Sequence, residues 1–109
     1  MTLSIKEGVV IDRLHPAMVV AIPTVMQVFA RHGFQSTITS GNEGEHGPRS
    51  FHKVIPLRAL DWRTWANSSG KQIDEGIKAA IVMDLRAELG PDYDVVLEAT
   101  HIHTEYDPR

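Results

Sequence analysis

The sequence predicts a small α+β domain in which two helices pack on one side of a mostly antiparallel sheet. Two stretches repeat apolar residues at the three- and four-residue spacing of a helix. Shorter stretches alternate apolar and polar residues or are rich in β-branched residues, as strands do. Their order is roughly β-α-β-β-α-β-β, which is typical of this fold class. With 109 residues, the chain suits one modest core, so residues 1–109 are predicted to form a single domain.

The first predicted helix covers "HPAMVVAIPTVMQVFARHG", residues 15–33. Pro16 suits the first turn and Gly33 suits the C-terminal stop. Pro23 is expected to kink or divide this helix because it removes a backbone donor. The second predicted helix is "KQIDEGIKAAIVMDLRAELG", which isoleucines and leucines mark at near-helical spacing and Gly90-Pro91 ends.

The predicted strands lie around and between these helices. They are "GVVIDRL" (8–14), "FQSTITS" (34–40), "LRALDWR" (57–63), "YDVVLEA" (93–99) and "HIHTEY" (101–106). The segment 41–50 is rich in glycine and polar residues, which predicts a loop.

Composition narrows the classes of function. The net charge is only −3 and the basic residues are scattered, so the sequence does not favour a nucleic-acid partner. There is no cysteine, which excludes disulfides and thiolate ligands. Any metal must therefore be held by the 6 histidines and 14 acidic residues.

No targeting or membrane segment is recognisable. The first ten residues lack a basic region followed by an apolar one, so we expect the chain to be cytoplasmic as synthesised. Pro23 and Gln27 interrupt the longest apolar stretch, which is short for a bilayer, so no membrane span is expected.

Two groups of polar residues are candidates for chemistry. Residues two apart on a strand share a face, so His101, His103 and Glu105 point the same way, and two imidazoles so placed can bind one metal ion. The alternative is a solvated strand face. In the second group, His52 precedes Asp61, whose carboxylate lies inside an apolar run and needs a partner.

That partner is either a neighbouring arginine, Arg58 or Arg63, or a metal ion. Two histidines and one carboxylate are a common catalytic zinc set, in which zinc activates water and polarises a carbonyl group. A nearby glutamate or histidine can then carry the proton to the leaving amine. His52, Asp61 and one of the late histidines supply such a set.

The motifs in these two groups resemble a known family. "SFHKVIPLRALD" is similar to the S-x-H-x-x-G-R-A-x-D signature of zinc D-Ala-D-Ala peptidases and related peptidoglycan endopeptidases, whose fold is shared by the N-terminal domain of Hedgehog. "EATHIHTEYDP" is similar to the second signature, an acid followed by H-x-H. The resemblance covers roughly residues 14–108 and is greatest to small, often phage-encoded single-domain members.

The resemblance implies zinc as cofactor and a peptidoglycan peptide as substrate, cleaved by a carboxypeptidase or an endopeptidase. It implies His52, Asp61 and His103 as zinc ligands, Glu98 as general base and His101 as proton donor or oxyanion stabiliser. Ser50 would orient the site, and Arg49 or Arg58 would bind a substrate carboxylate or form a structural salt bridge. The roles of His101 and His103 could be exchanged. Release to the cell wall or association with a virion would fit this activity, and a non-catalytic zinc-binding module is the alternative.

The chain departs from the family's pattern in one spacing. Eight residues separate His52 from Asp61 where the family has six, and Leu57 replaces a glycine. The extra residues either bulge out and leave the ligands in place or move His52 away from Asp61. Two extra residues preserve the alternation of a strand, which favours the first outcome.

Overall fold

The computed structural model describes residues 2–43 and 52–108. These residues form one α+β unit of five strands and two helices. In chain order they are β1 (Leu3–Ile5), α1 (Pro16–Arg31), β2 (Ser36–Ser40), β3 (Ala59–Arg63), α2 (Glu75–Leu89), β4 (Tyr93–Leu97) and β5 (His101–Tyr106). The predicted fold class is thus confirmed at the level of an α+β domain.

The five strands form one mixed sheet in the order β1-β2-β3-β5-β4. The β1–β2 pair is parallel and the other three pairs are antiparallel. Strands β3 and β5 therefore lie side by side in the interior of the sheet, although Asp61 and its register partner His103 are 42 positions apart in the sequence. This pairing brings the two polar groups of the sequence together.

The helices cover one face of the sheet. Trp62 of β3 and its register partner Ile102 of β5 are fully buried in a core shared with both helices. The ring of Trp62 lies 6.5 Å from that of Phe29 in α1. Because side chains alternate along a strand, the intervening residues of β3 and β5 face away from the helices. We call this other side the open face.

Helix α1 continues through Pro23 instead of being divided there. Proline removes the hydrogen bond that the carbonyl group four residues earlier, at Val19, would accept. Val19 is about half exposed, so water can donate to that carbonyl group. The buried stripe of Met18, Val25 and Phe29 supplies the packing that holds the helix together.

The N-terminal strand differs from its prediction. Residues 8–14 were expected to be extended, but the strand is Leu3–Ile5, and this later segment contributes only an isolated bridge from Leu14 to Leu57. Gly8 and Arg13 have φ values of 88° and 52°, which interrupt an extended run at both ends. The last strand has the predicted bounds, the other predicted strands and both helices are present with shorter bounds, and Asp74 caps the start of α2.

In the described part of the chain, neither helix is long and apolar enough to cross a bilayer.

The buried core leads to one prediction about the stability of the fold. Ile102 is fully buried near the start of β5, so Ile102→Ala should lower the free energy of unfolding by about 2–5 kcal/mol, measured by urea denaturation. Val96→Ala is the matched control, because that side chain is 42% exposed on the neighbouring strand. Equal losses for the two variants would contradict the assignment of the core to the helical face.

Candidate metal centre

The centre of the site is an aspartate and a histidine that face each other across β3 and β5. Asp61 and His103 are register partners, and the Nδ1 of His103 lies 2.8 Å from the Oδ1 of Asp61. Asp61 is buried and His103 is mostly buried, although both lie on the open face. The site therefore rests on two interior strands, which hold its ligands more firmly than loops would.

His52 completes the cluster from the segment that leads into β3. Its side chain is buried, and its Nε2 lies 3.3 Å from the Oδ1 of Asp61. Its ring also lies 5.2 Å from that of His103. Residues 53–56 form a series of bends, so the longer spacing is taken up there and His52 still reaches Asp61. The first of the two alternatives for this spacing is the one observed.

These three residues could hold a metal ion. One ligand atom from each of His52, Asp61 and His103 lies within 4.8 Å of the other two. Tetrahedral ligands of zinc, at about 2.1 Å from the ion, lie about 3.4 Å apart, so small movements would suffice. Two imidazole nitrogens and one carboxylate oxygen are donors that fit zinc better than magnesium or calcium.

Further contacts orient both imidazole rings. The Nδ1 of His52 lies 2.7 Å from the carbonyl oxygen of Gly41, which can only accept, so Nδ1 carries a proton and Nε2 faces Asp61. The Nε2 of His103 lies 2.7 Å from Oε1 of Glu105, which leaves Nδ1 facing Asp61. A histidine held by a carboxylate or a carbonyl oxygen on its far side is the usual arrangement around protein-bound metals.

The charges of the cluster shift two pKa values in opposite directions. Burial alone would raise the pKa of the Asp61 carboxyl, but hydrogen bonds from His103 and His52 outweigh it and hold that pKa well below its usual range. Burial alone would lower the pKa of His103, but hydrogen bonds to Asp61 and Glu105 outweigh it and raise that pKa. Without metal, His103 is therefore favoured as an imidazolium between two carboxylates.

These shifts predict how stability depends on pH. The lowered pKa of Asp61 stabilises the fold above the ordinary value of 3.8, and this contribution is lost as the pH falls through the folded-state pKa. The raised pKa of His103 stabilises it fully below the ordinary value of 6.5, and this is lost as the pH rises through the folded-state pKa. The metal-free cluster should therefore be most stabilising between these two ordinary values.

Thermal unfolding in EDTA from pH 3 to 9 measures this dependence. The melting temperature should fall above pH 6.5 without metal and rise there with zinc, because zinc competes with protons for the imidazoles. In His103→Gln the alkaline fall should be smaller. Parallel profiles with zinc and with EDTA would contradict these assignments.

The remaining strand histidine lines a cleft beside the cluster. The Nε2 of His101 lies 3.6 Å from the Oδ2 of Asp61, and its side chain is partly exposed. The cleft has a volume of about 350 Å³. Its lining residues are Lys6, Thr39, Ser40, Asp61, Arg63, Trp65, Thr100 and His101. The open face thus places a candidate metal centre next to a space of the size of a short peptide segment.

Of the other residues singled out by the sequence, those that the structure describes do not join the cluster. Glu98 is exposed in the turn between β4 and β5, where its backbone N–H donates to the carbonyl oxygen of His101. Arg58 donates through Nε to the carbonyl oxygen of Tyr106 and lies 3.9 Å from Asp107, which is the salt-bridge alternative. Arg49 and Ser50 lie outside the described residues.

Sequence reasoning did not assign a role to two groups that orient the ligands. The two-residue spacing along the strand placed Glu105 on the same face as His101 and His103, and this spacing was sufficient to suggest contact with His103. The carbonyl oxygen of Gly41 carried no signal. A glycine is needed there because a Cβ would overlap the carbonyl oxygen of Val10.

Fold and site together define an α+β domain with a candidate metal centre on the open face of its sheet. No protein-family model matches this chain, and neither does any curated protein or solved structure.

Proposed function

We propose that this protein is a zinc-dependent hydrolase that cleaves an amide bond in peptidoglycan stem peptides. One observation carries the proposal: His52, Asp61 and His103 converge on the open face, although they come from distant parts of the chain. The two motifs whose resemblance suggested this activity therefore meet in space. The cleft beside them offers room for a peptide.

When bound, zinc would polarise the scissile carbonyl group and lower the pKa of a water molecule. His52 and His103 would hold the ion through nitrogens that their far-side contacts already orient. His101, which lines the cleft, would donate a hydrogen bond to the carbonyl oxygen as negative charge develops on it. Glu98 would accept a proton from water and pass it to the leaving amine.

The exposed position of Glu98 favours a second candidate, a zinc-binding interaction module without catalysis. The cleft is lined by Thr100 and His101 but not by Glu98, so the general base has no contact with the cluster in the described structure. In such a module the metal would stabilise the open face for recognition of a partner. The two candidates agree on the metal and differ in whether an amide bond is broken.

Purified protein without a histidine tag tests the proposal. One zinc per chain is expected by elemental analysis after gel filtration, together with release of free amine from purified muropeptides. Stoichiometric zinc without amine release from any muropeptide would favour the interaction module. Absence of zinc binding would refute both candidates.

A further inference from the structure

The cleft beside the candidate metal centre is positively charged. It is lined by Lys6 and Arg63, and its one acidic lining residue, Asp61, is already engaged by three histidines. The cationic groups therefore have no acidic counterpart within the lining. A peptide entering this cleft would meet an environment that favours negative charge.

Arg63 lines the cleft, and two contacts hold its guanidinium group in place. Its Cζ lies 3.7 Å from the centroid of the Trp65 ring, so one flat side is stacked. Its Nη1 donates to the Oδ1 of Asn67 at 3.0 Å. Its Nε is buried and has no hydrogen-bond partner among the described residues. Stacking fixes the plane of the guanidinium group, while its Nε–H still lacks an acceptor.

The position of Arg63 relates it to the metal centre. Arg63 is two residues beyond Asp61 on β3 and is the register partner of His101. Two residues on a strand span about 6.5–7 Å, which corresponds to one or two residues of an extended peptide. A substrate with its scissile carbonyl group at the metal centre would place its next one or two residues near Arg63.

We propose that Arg63, assisted by Lys6, binds a carboxylate that lies one or two residues from the scissile bond. A carboxylate matches the planar fork of arginine, and its charge is complementary to the cleft. Thr39 and Thr100 also line the cleft, and because a hydroxyl group can both donate and accept, they could bind polar groups of the same residues. This inference rests on the proposed function and refines it, because it favours cleavage next to a free carboxylate over cleavage within a long amidated peptide.

Binding to zinc-free protein tests the inference apart from catalysis. The probes are acetyl-alanyl-alanine, its C-terminal amide, and acetyl-alanyl-aspartate α-amide, which carries only a side-chain carboxylate. Trp62 and Trp65 are the two tryptophans of the chain, so indole N–H signals in NMR report separately on the core and on the cleft.

Acetyl-alanyl-alanine, the acid, should shift the signal of Trp65 and leave that of Trp62 unchanged. Its C-terminal amide should bind at least about tenfold more weakly. A shift with the aspartate probe would identify a side-chain carboxylate as an acceptable source, and its absence would restrict the site to chain ends. Arg63→Gln should remove the preference for the acid and Lys6→Gln should reduce it, while Arg31→Gln, on α1, should keep it. An unchanged preference in Arg63→Gln, or equal binding of acid and amide, would overturn the inference.

Experiments with zinc-loaded protein distinguish a failure of the carboxylate site from a failure of the proposed function. If the acid binds at Arg63 but no peptide is hydrolysed, the carboxylate site stands and the proposed function fails. If hydrolysis occurs with the same kcat/KM for acid and amide in wild type and in Arg63→Gln, the proposed function stands and the carboxylate site fails.

Discussion

Replacing Asp61 by alanine will abolish stoichiometric zinc binding. Asp61 is the residue that contacts both other candidate ligands, at 2.8 Å from His103 and 3.3 Å from His52. Its loss removes one donor and the charge that draws the two imidazoles together. We expect an affinity loss larger than the about 10–100-fold that follows removal of an outer-sphere partner. Zinc content after gel filtration and competition with a chromophoric chelator measure it.

Two further variants separate ligand loss from misfolding. Asp61→Asn keeps the shape and one acceptor oxygen, so it should fold while binding zinc far more weakly than wild type. Asp92→Asn, at an exposed position outside the cluster, should bind zinc normally. Retention of one zinc per chain in Asp61→Ala would show that the ligand assignment is wrong.

The same measurement distinguishes the two late histidines. His103→Gln should lose zinc because His103 belongs to the group of three, whereas His101→Gln should keep it. The reverse result would mean that His101 is the ligand and that their roles are exchanged.

Replacing Glu98 by glutamine will reduce amide hydrolysis by about 10²–10⁴-fold while zinc binding stays intact. Glutamine cannot accept the proton of water, but it has nearly the shape of glutamate. Glu98 is exposed in a turn, so the stability of the fold should change by no more than about 0.5 kcal/mol. The measurement is kcat for muropeptide cleavage alongside zinc content and urea denaturation.

Glu88→Gln, on the helical side of the molecule, is the matched control and should keep full activity. If Glu98→Gln is as active as wild type, another group accepts the proton, and His101 is the first to examine because it borders the cleft. Loss of zinc together with activity would instead assign Glu98 a role in holding the metal.

Local patterns in the sequence were sufficient for most of the fold. Helical spacing identified α1 and α2, and parity along "HIHTEY" placed His101, His103 and Glu105 on one face. The N-terminal strand was misplaced because residues 8–14 are rich in β-branched residues but contain backbone angles that prevent continuous pairing. Pro23 was expected to kink or divide α1, and the helix is not divided, because packing of the buried stripe keeps it continuous.

The sequence by itself determined the α+β class and the types of donor available for a metal, because periodicity and composition are local properties. Only the tertiary structure decided that His52 reaches Asp61 despite the longer spacing, since that depends on how residues 53–56 bend. The pairing of β3 with β5 likewise decided that His103 faces Asp61. Strand register is set by long-range packing against a shared core, so no local pattern in either motif contains it.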